Sequence, residues 1–498
     1  MAQPRFAFWW LLGAAVWVAA TGLRGGFLAS LVGLPLALGL VLAATSASRG
    51  DERAPRRVAG AGVGALLFAL AHLLVGGGLA GVTSLVLALG AIAAGTRLSL
   101  EHEPVARELP PRSERSASLA FALAADETLR LYWDFTGRLS PRGSPGFVAE
   151  RLRAAAARNR ERGLLTDPAL AHPLPPGLEK PELDRVALRG LGDVETLRFE
   201  SEYEPIDPEL RDAWLAVRPN RTAHAWLWRH AGGGRPALIA IHGYSGGRPA
   251  LDARGLDLVR LHRELGLDVA LFALPLHGPR AAGRRSGEGF FDGDPLAPNA
   301  ALGQAVWDLR RLAGWLRAEG APVVGAYGGS LGGATTALFA SLDGRLACAI
   351  PHIPAADLAA LVWDSLSPQR RAELEAEGVS RALFDEAWAP VAPLRHRPKV
   401  APEGRLIIAG AADRLCTPAA IRALHERWDR CELHWFRGSH LWPLGRGGVR
   451  QRLDAHLRLT LLAPPPAHVE PTDAPADVEP SEAPAPSGPP PLSRFRRT

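Results

Sequence analysis

Three stretches near the start of the chain, Phe6 to Leu23, Gly25 to Ser48 and Val58 to Thr96, contain no charged side chain apart from the titratable His72. Lipid offers a backbone no hydrogen-bond partners, so an apolar run of about 20 residues in a membrane must close its own bonds as a helix. The third stretch is long enough for two crossings, with the turn at Gly76-Gly77-Gly78. Residues 1–97 are therefore expected to form four transmembrane helices. A second apolar run follows the first at once, which favours a retained span over a signal peptide cut near Ala20. One intramembrane histidine is too little for a transport path, so the block reads as an anchor. Trp9, Trp10 and Trp17 read either as interface anchors or as ordinary lipid contacts.

With four spans, Arg5, Arg49, Arg53, Arg56 and Arg57 share one side with Arg97 and Arg107, while Arg24 stands alone on the other. The excess of arginine marks the cytoplasmic side. The rest of the chain is then expected in the cytoplasm, at a bacterial inner membrane; three spans would place it outside. Cys348, Cys416 and Cys431 have no metal-ligand spacing and make no disulfide framework, which fits reduced thiols. The net charge of +6 is almost all arginine and forms no clustered basic face with exposed aromatics, so no nucleic-acid partner is expected. Neither a metal nor an organic cofactor is expected.

Residues 98–194 are polar and punctuated by proline, with helix-like content at Leu119 to Trp133 and Phe147 to Arg162. They read as a juxtamembrane helical linker. The second helix carries Arg151, Arg153, Arg158, Arg160 and Arg162, either as a solvated face or against anionic lipid. Strand-like runs follow at Glu195 to Glu202, Arg221 to Arg229, Pro236 to Ile241, Leu267 to Leu276, Val323 to Tyr327, Ala347 to Pro354, Arg405 to Gly410 and Glu432 to Phe436. The predicted class is α/β, with a catalytic domain over 195–462. From 463 to 498 the composition is mostly Pro, Ala, Glu and Ser, which cannot bury enough apolar area to offset chain entropy, so disorder is expected.

Within that domain, Gly328-Gly329-Ser330-Leu331-Gly332 joins a strand to an Ala-rich helix. A serine on so sharp a turn is strained, and Cβ atoms at 328 and 332 would strike the adjoining helix and strand. Ser330 is thus a candidate nucleophile. A hydroxyl needs an imidazole base and an acid to orient it. Asp413 and His440 follow in the order acid then histidine, each in a loop beyond its own predicted strand. His434 within a strand and His425 on a helix are less well placed. The loop His242-Gly243-Tyr244 after another strand is able to aim backbone N–H groups, so the amides of Leu331 and Tyr244 are the candidate oxyanion donors. Arg280, Arg284 and Arg285 near the predicted cleft mouth read as recognising an anionic substrate group or as merely solvated.

Through the His-Gly loop, the elbow around Ser330 and the later acid and histidine, the chain resembles the α/β-hydrolase superfamily over roughly Glu195 to Leu462. The resemblance implies a doubly wound, mostly parallel sheet and a serine esterase or lipase-like activity on a small-molecule or lipid-like acyl substrate. It makes Gly328 and Gly332 the elbow glycines, and His242, Gly243 and Arg280 candidate substrate-binding residues. It also makes the helical insertion 355–397, with Leu361, Val362, Trp363, Leu383 and Trp388, a cap over the acyl site; plain core packing is the alternative. Gly329 departs from the larger residue that many members carry before the nucleophile. The competing functions are a prolyl-oligopeptidase-like peptidase and a noncatalytic binding or scaffold protein on the same fold.

Overall fold

The computed structural model describes residues 4–75, 78–101, 116–188 and 190–463. Four helices open it: α1 (Pro4–Arg24), α2 (Gly26–Ser48), α3 (Ala54–Leu74) and α4 (Gly78–Glu101), each long and apolar enough to cross a membrane. Of the expected turn, Gly76 and Gly77 lie outside the described residues, as do Arg107 and the tail from 464 to 498. The helices approach closely because glycines meet backbone. A Cβ on Gly62 would lie 2.9 Å from the Ile92 nitrogen, and one on Gly95 would lie 2.8 Å from the Ala59 nitrogen. Two of the tryptophans join this packing: the Trp10 indole donates to the Leu87 carbonyl at 3.1 Å and that of Trp17 to Ser84 Oγ at 2.9 Å. Trp9 remains exposed.

Both expected helices after the block are present, as α5 (Ala117–Thr136) and α6 (Pro145–Glu161). Ser116 and Ser144 cap them, each side chain accepting from the amide three residues on. The arginines of α6 divide: Arg153, Arg160 and Arg162 are exposed, as a solvated face requires, whereas Arg151 and Arg158 are largely covered by acidic partners. Arg151 pairs with Glu209 and Asp294, Arg158 with Asp207 and Glu209, and Arg160 with Glu386. Those carboxylates sit far along the chain, so α6 is docked against the elements that follow it. The expected linker is therefore folded structure.

The sheet begins upstream of the predicted boundary at 195. Its nine strands are β1 (Glu182–Leu188), β2 (Gly192–Glu200), β3 (Thr222–Trp228), β4 (Ala237–Ile241), β5 (Asp268–Phe272), β6 (Val324–Gly329), β7 (Cys348–His352), β8 (Leu406–Gly410) and β9 (Glu432–Phe436). They lie in the order β1-β2-β3-β5-β4-β6-β7-β8-β9. The first three pair antiparallel, β3 meets β5 antiparallel, and the six from β5 to β9 run parallel. β4, β5 and β8 are buried at every position, as expected for parallel strands covered on both faces. The order reverses around β4, so the loops after β4, β6, β8 and β9 open at one edge, where such sheets place their sites.

The insertion between β7 and β8 is helical, over Leu358–Trp363, Pro368–Ala376 and Arg381–Ala387. Val362, Phe384 and Trp388 are buried in the same core that covers the sheet, and Trp363 and Leu383 pack against it. Its aromatic residues are thus core. Arg56 of α3 donates to the Asp364 carbonyl at 3.1 Å, and Arg53 to that of Leu366, tying the insertion to the amino-terminal block.

Candidate active site

The turn from β6 into the helix Leu331–Leu342 puts Ser330 at φ 57° and ψ −116°, a conformation that L-residues avoid unless their surroundings impose it. Here they do: the Ser330 amide donates to the His352 carbonyl at 2.9 Å, and its own carbonyl accepts from Ala334 at 3.0 Å and Ala355 at 3.1 Å. The flanking glycines are obligatory. A Cβ on Gly328 would lie 2.5 Å from Thr336 Oγ1, and one on Gly332 would strike the carbonyls of Ile241 and His242, the latter at 2.5 Å. The predicted collision of helix and strand is thus present on both sides of the serine.

Asp413, in the loop after β8, is fully buried. Its Oδ1 accepts the amides of Leu415 and Cys416, both at 2.8 Å, which leaves Oδ2 to meet His440 Nδ1 at 2.8 Å. With Nδ1–H committed to Asp413, His440 Nε2 is left to accept the Ser330 hydroxyl, 3.0 Å away. The three residues picked from the sequence therefore meet in one hydrogen-bonded chain. The rival His425 instead meets the Cys431 carbonyl at 2.8 Å, and His434 stays within β9. Burial alone would pull the His440 imidazole down, but the Asp413 charge and hydrogen bond outweigh it and hold the group well above its ordinary value. Burial pushes the neighbouring Cys416 thiol up, so at neutral pH it is uncharged and Asp413 supplies the field.

The loop after β4 lies against the serine: a Cβ on Gly243 would come within 3.3 Å of Ser330 Cβ. Among the described residues, neither the Leu331 nor the Tyr244 amide has a protein acceptor. The Tyr244 phenol donates to the Arg138 carbonyl at 3.2 Å, and Trp133 of α5 packs edge-on against its ring. Arg138 also reaches Ser245 Oγ at 3.1 Å.

Two candidate substrate contacts are corrected. His242 is buried with both nitrogens spent, Nδ1 on the Gly243 carbonyl at 2.8 Å and Nε2 on the Leu274 amide at 3.1 Å, so it staples two loops together. Burial lowers its pKa, which keeps it neutral. Arg280 is not at a cleft mouth. It has no exposed surface, pairs with Asp308 at 2.9 Å and donates to the Asn220 carbonyl at 3.0 Å, in a polar cluster beneath β3. Arg284 and Arg285 stay exposed.

Asp126 of α5 escaped the sequence reading. It is fully buried beside the candidate site, and its two oxygens take four donors from the loops that hold Asp413 and His440. Oδ1 accepts from the Leu441 amide at 3.0 Å and the Ser439 hydroxyl at 2.9 Å; Oδ2 accepts from the His440 amide at 2.9 Å and the Arg414 amide at 3.1 Å. Burial, helped by the Asp413 charge, pushes this carboxyl up to about 6. Among the described residues, two groups of ligand-type side chains gather within 4.8 Å. In Asp413, Cys416 and His440, both imidazole nitrogens are already engaged by protein. In His230, His262 and Asp268, the carboxylate holds the His230 amide and Nδ1, and His262 Nδ1 meets the Leu267 carbonyl.

No known family model matches the chain. Two proteins of Mycobacterium tuberculosis do: uncharacterized protein Rv2627c of strain H37Rv and uncharacterized protein MT2702 of strain CDC 1551, each 35% identical over 291 residues, or 56% of this chain and 68% of theirs. Among solved structures, the acetyl xylan esterase from Paenibacillus sp. R4 is similar over 64% of this chain and 95% of its own, with a TM-score of 0.40 and 15% identity. Acetyl xylan esterase 1 from Thermoanaerobacterium sp. JW/SL YS485 is similar over 63% and 94%, with a TM-score of 0.41 and 17% identity.

Proposed function

The chain belongs to the family of these uncharacterized mycobacterial proteins, and from that premise we propose that it is a membrane-anchored serine hydrolase of the α/β-hydrolase fold, cleaving a carboxylic ester, thioester or amide. The observation that carries this reading is the chain of contacts Ser330–His440–Asp413 on a strained elbow, at 3.0 Å and 2.8 Å. The chain order serine, acid, histidine is that of the α/β-hydrolases.

In the reaction, neutral His440 takes the Ser330 proton through Nε2 as Oγ attacks the substrate carbonyl. Asp413 orients the ring and balances the imidazolium. The amides of Leu331 and Tyr244 receive the developing oxyanion, each worth roughly 3 kcal/mol. His440 then hands its proton to the leaving alcohol, thiol or amine, and the acyl group stays on Ser330. Water, deprotonated by the same imidazole, attacks the acyl-enzyme and releases the acid. The anchor is α1 to α4, with the catalytic domain on the cytoplasmic side. Of the arginines on that side, Arg53 and Arg56 are engaged by Asp134 and by backbone carbonyls, Arg57 pairs with Asp51 at 2.7 Å and Arg97 with Glu101 at 2.9 Å, so the orientation rests on the excess of arginine alone.

The peptidase alternative loses support, since the described residues before β1 form helices and no propeller strands. A fluorophosphonate probe tests the proposal against the scaffold alternative. The wild type should label and Ser330→Ala should not; folded wild type that stays unlabelled overturns it.

A further inference from the structure

α5 is wedged between the amino-terminal block and the catalytic loops. On one side Thr96 donates to its Ala120 carbonyl at 3.1 Å, Ser99 donates to Glu127 at 2.7 Å, and Arg56 grips Asp134 with two bonds of 2.9 Å. On another, Asp126 holds the loop of His440, while Leu119 and Leu123 pack with Ala412, Leu444 and Leu100, the last from the end of α4. The base of the His440 loop therefore rests on the end of a membrane-length helix. One helix, about 10 Å across, separates the reacting histidine from the amino-terminal block.

That neighbourhood is unusually apolar where it is bare. Leu441 and Trp442, next after His440, are 46% and 57% exposed. Phe121, Tyr132 and Phe135, which the helical period places on one side of α5, are 42%, 49% and 90% exposed. Exposed apolar side chains gathered along one side of a helix mark a contact surface, and Trp and Tyr favour the boundary between lipid and water. The surface is continuous with α3 and α4 through α5 itself, so its occupant is the leaflet into which those helices run.

We infer that the active site is served from the bilayer: the substrate is a membrane-dissolved acyl amphiphile, and Leu441, Trp442 and the Phe121–Tyr132–Phe135 side of α5 sit in the headgroup layer at the entrance to Ser330. This rests on the hydrolase reading and on the four spans. Entry from lipid asks the substrate's acyl chain to leave one apolar phase for another, without first crossing water, and its headgroup ester then meets Ser330 at the interface.

Two measurements on the full chain in phosphatidylcholine–phosphatidylglycerol vesicles test it. First, kcat/KM is compared for a long-chain ester carried in the vesicles and a short ester dissolved in water. In Leu441→Ser/Trp442→Ser the ratio of the two should fall about tenfold; an equal change on both esters overturns the inference. Second, Trp442→Cys bearing an environment-sensitive fluorophore should be quenched by brominated lipid chains, and an unquenched label overturns it. The quenching needs no catalysis. If neither ester is cleaved and the fluorophosphonate fails to label, it is the hydrolase reading that falls, and the quenching still judges the surface.

Discussion

Ser330 and Asp126 belong to one site, yet the two regions that supply them are built differently. The elbow is assembled from neighbours: β6, the turn and the following helix are contiguous, and two glycines four positions apart remove the atoms that would block it. α5 holds the same site from a distance of about three hundred residues along the chain, through four hydrogen bonds to loops that precede and include His440. In the proposed mechanism, one region makes the nucleophile and the other holds the base in line. Their difference predicts that damage to the first abolishes chemistry, whereas damage to the second changes its efficiency and its pH dependence.

The largest effect should come from the acid. Asp413→Asn keeps the shape but offers His440 Nδ1 a donor in place of a charge, so kcat should fall by about 10⁴-fold. Retention of more than a tenth of the wild-type rate on any cleaved ester would assign the base's orientation elsewhere. Gly332→Ala comes next. Its methyl group meets two carbonyl oxygens, and the displaced elbow should cost at least about 10²-fold in fluorophosphonate labelling rate, together with a lower Tm. Normal labelling would mean that the backbone gives way there more easily than its packing suggests.

Asp126→Asn probes the second region. Its amide has one acceptor oxygen for four donors, so kcat should fall about tenfold. The sharper readout is pH. His440 works as a base only when neutral, so kcat/KM rises as pH passes through its titration, which lies above the ordinary imidazole value. Asp126 is ionised there, having been pushed up only to about 6. Removing that negative charge destabilises the imidazolium, and the acidic limb should move to lower pH; a limb that stays in place would reduce Asp126 to a packing residue. Stability follows the opposite sense for this group. A carboxyl raised on folding favours the fold at low pH, and that contribution is lost as pH rises through about 6. The Tm of Asp126→Asn should therefore gain on the wild type from about pH 4 to pH 6 and hold level above that.

The same contrast explains what could be seen in the sequence. β4, β6 and β8 announce themselves as apolar runs, the last two ending in glycine, and the loops that follow carry Tyr244, Ser330 and Asp413. Those features are local. β1 has no such signature, because its side chains are exposed on both faces and alternate acid, base and aliphatic along an edge. Asp126 sits among Ala125, Glu127 and Thr128, where any aspartate looks like part of a solvated helix; its four donors come from Arg414 and from 439–441. Arg280 misleads in the reverse direction. A loop arginine beside Arg284 and Arg285 looks exposed until Asp308, from the helix Ala297–Ala318, is brought against it. In each case the missing term is a partner distant in sequence.

The smallest expected effect divides the role of the amino-terminal block. Arg56→Gln removes two bonds to Asp134 and one to the Asp364 carbonyl, but Arg53 stays 3.4 Å from Asp134, and Thr96 and Ser99 still hold α5. The loss in stability should be about 1–3 kcal/mol, the range for a buried charge stripped of one partner among several. Turnover of a water-soluble ester should change less than twofold, because the Asp126 bonds to 439–441 do not pass through Arg56. If turnover instead drops as far as in Asp126→Asn, and the acidic limb moves with it, then the grip of α3 on α5 sets the alignment of His440, and the block that tethers the enzyme also tunes it.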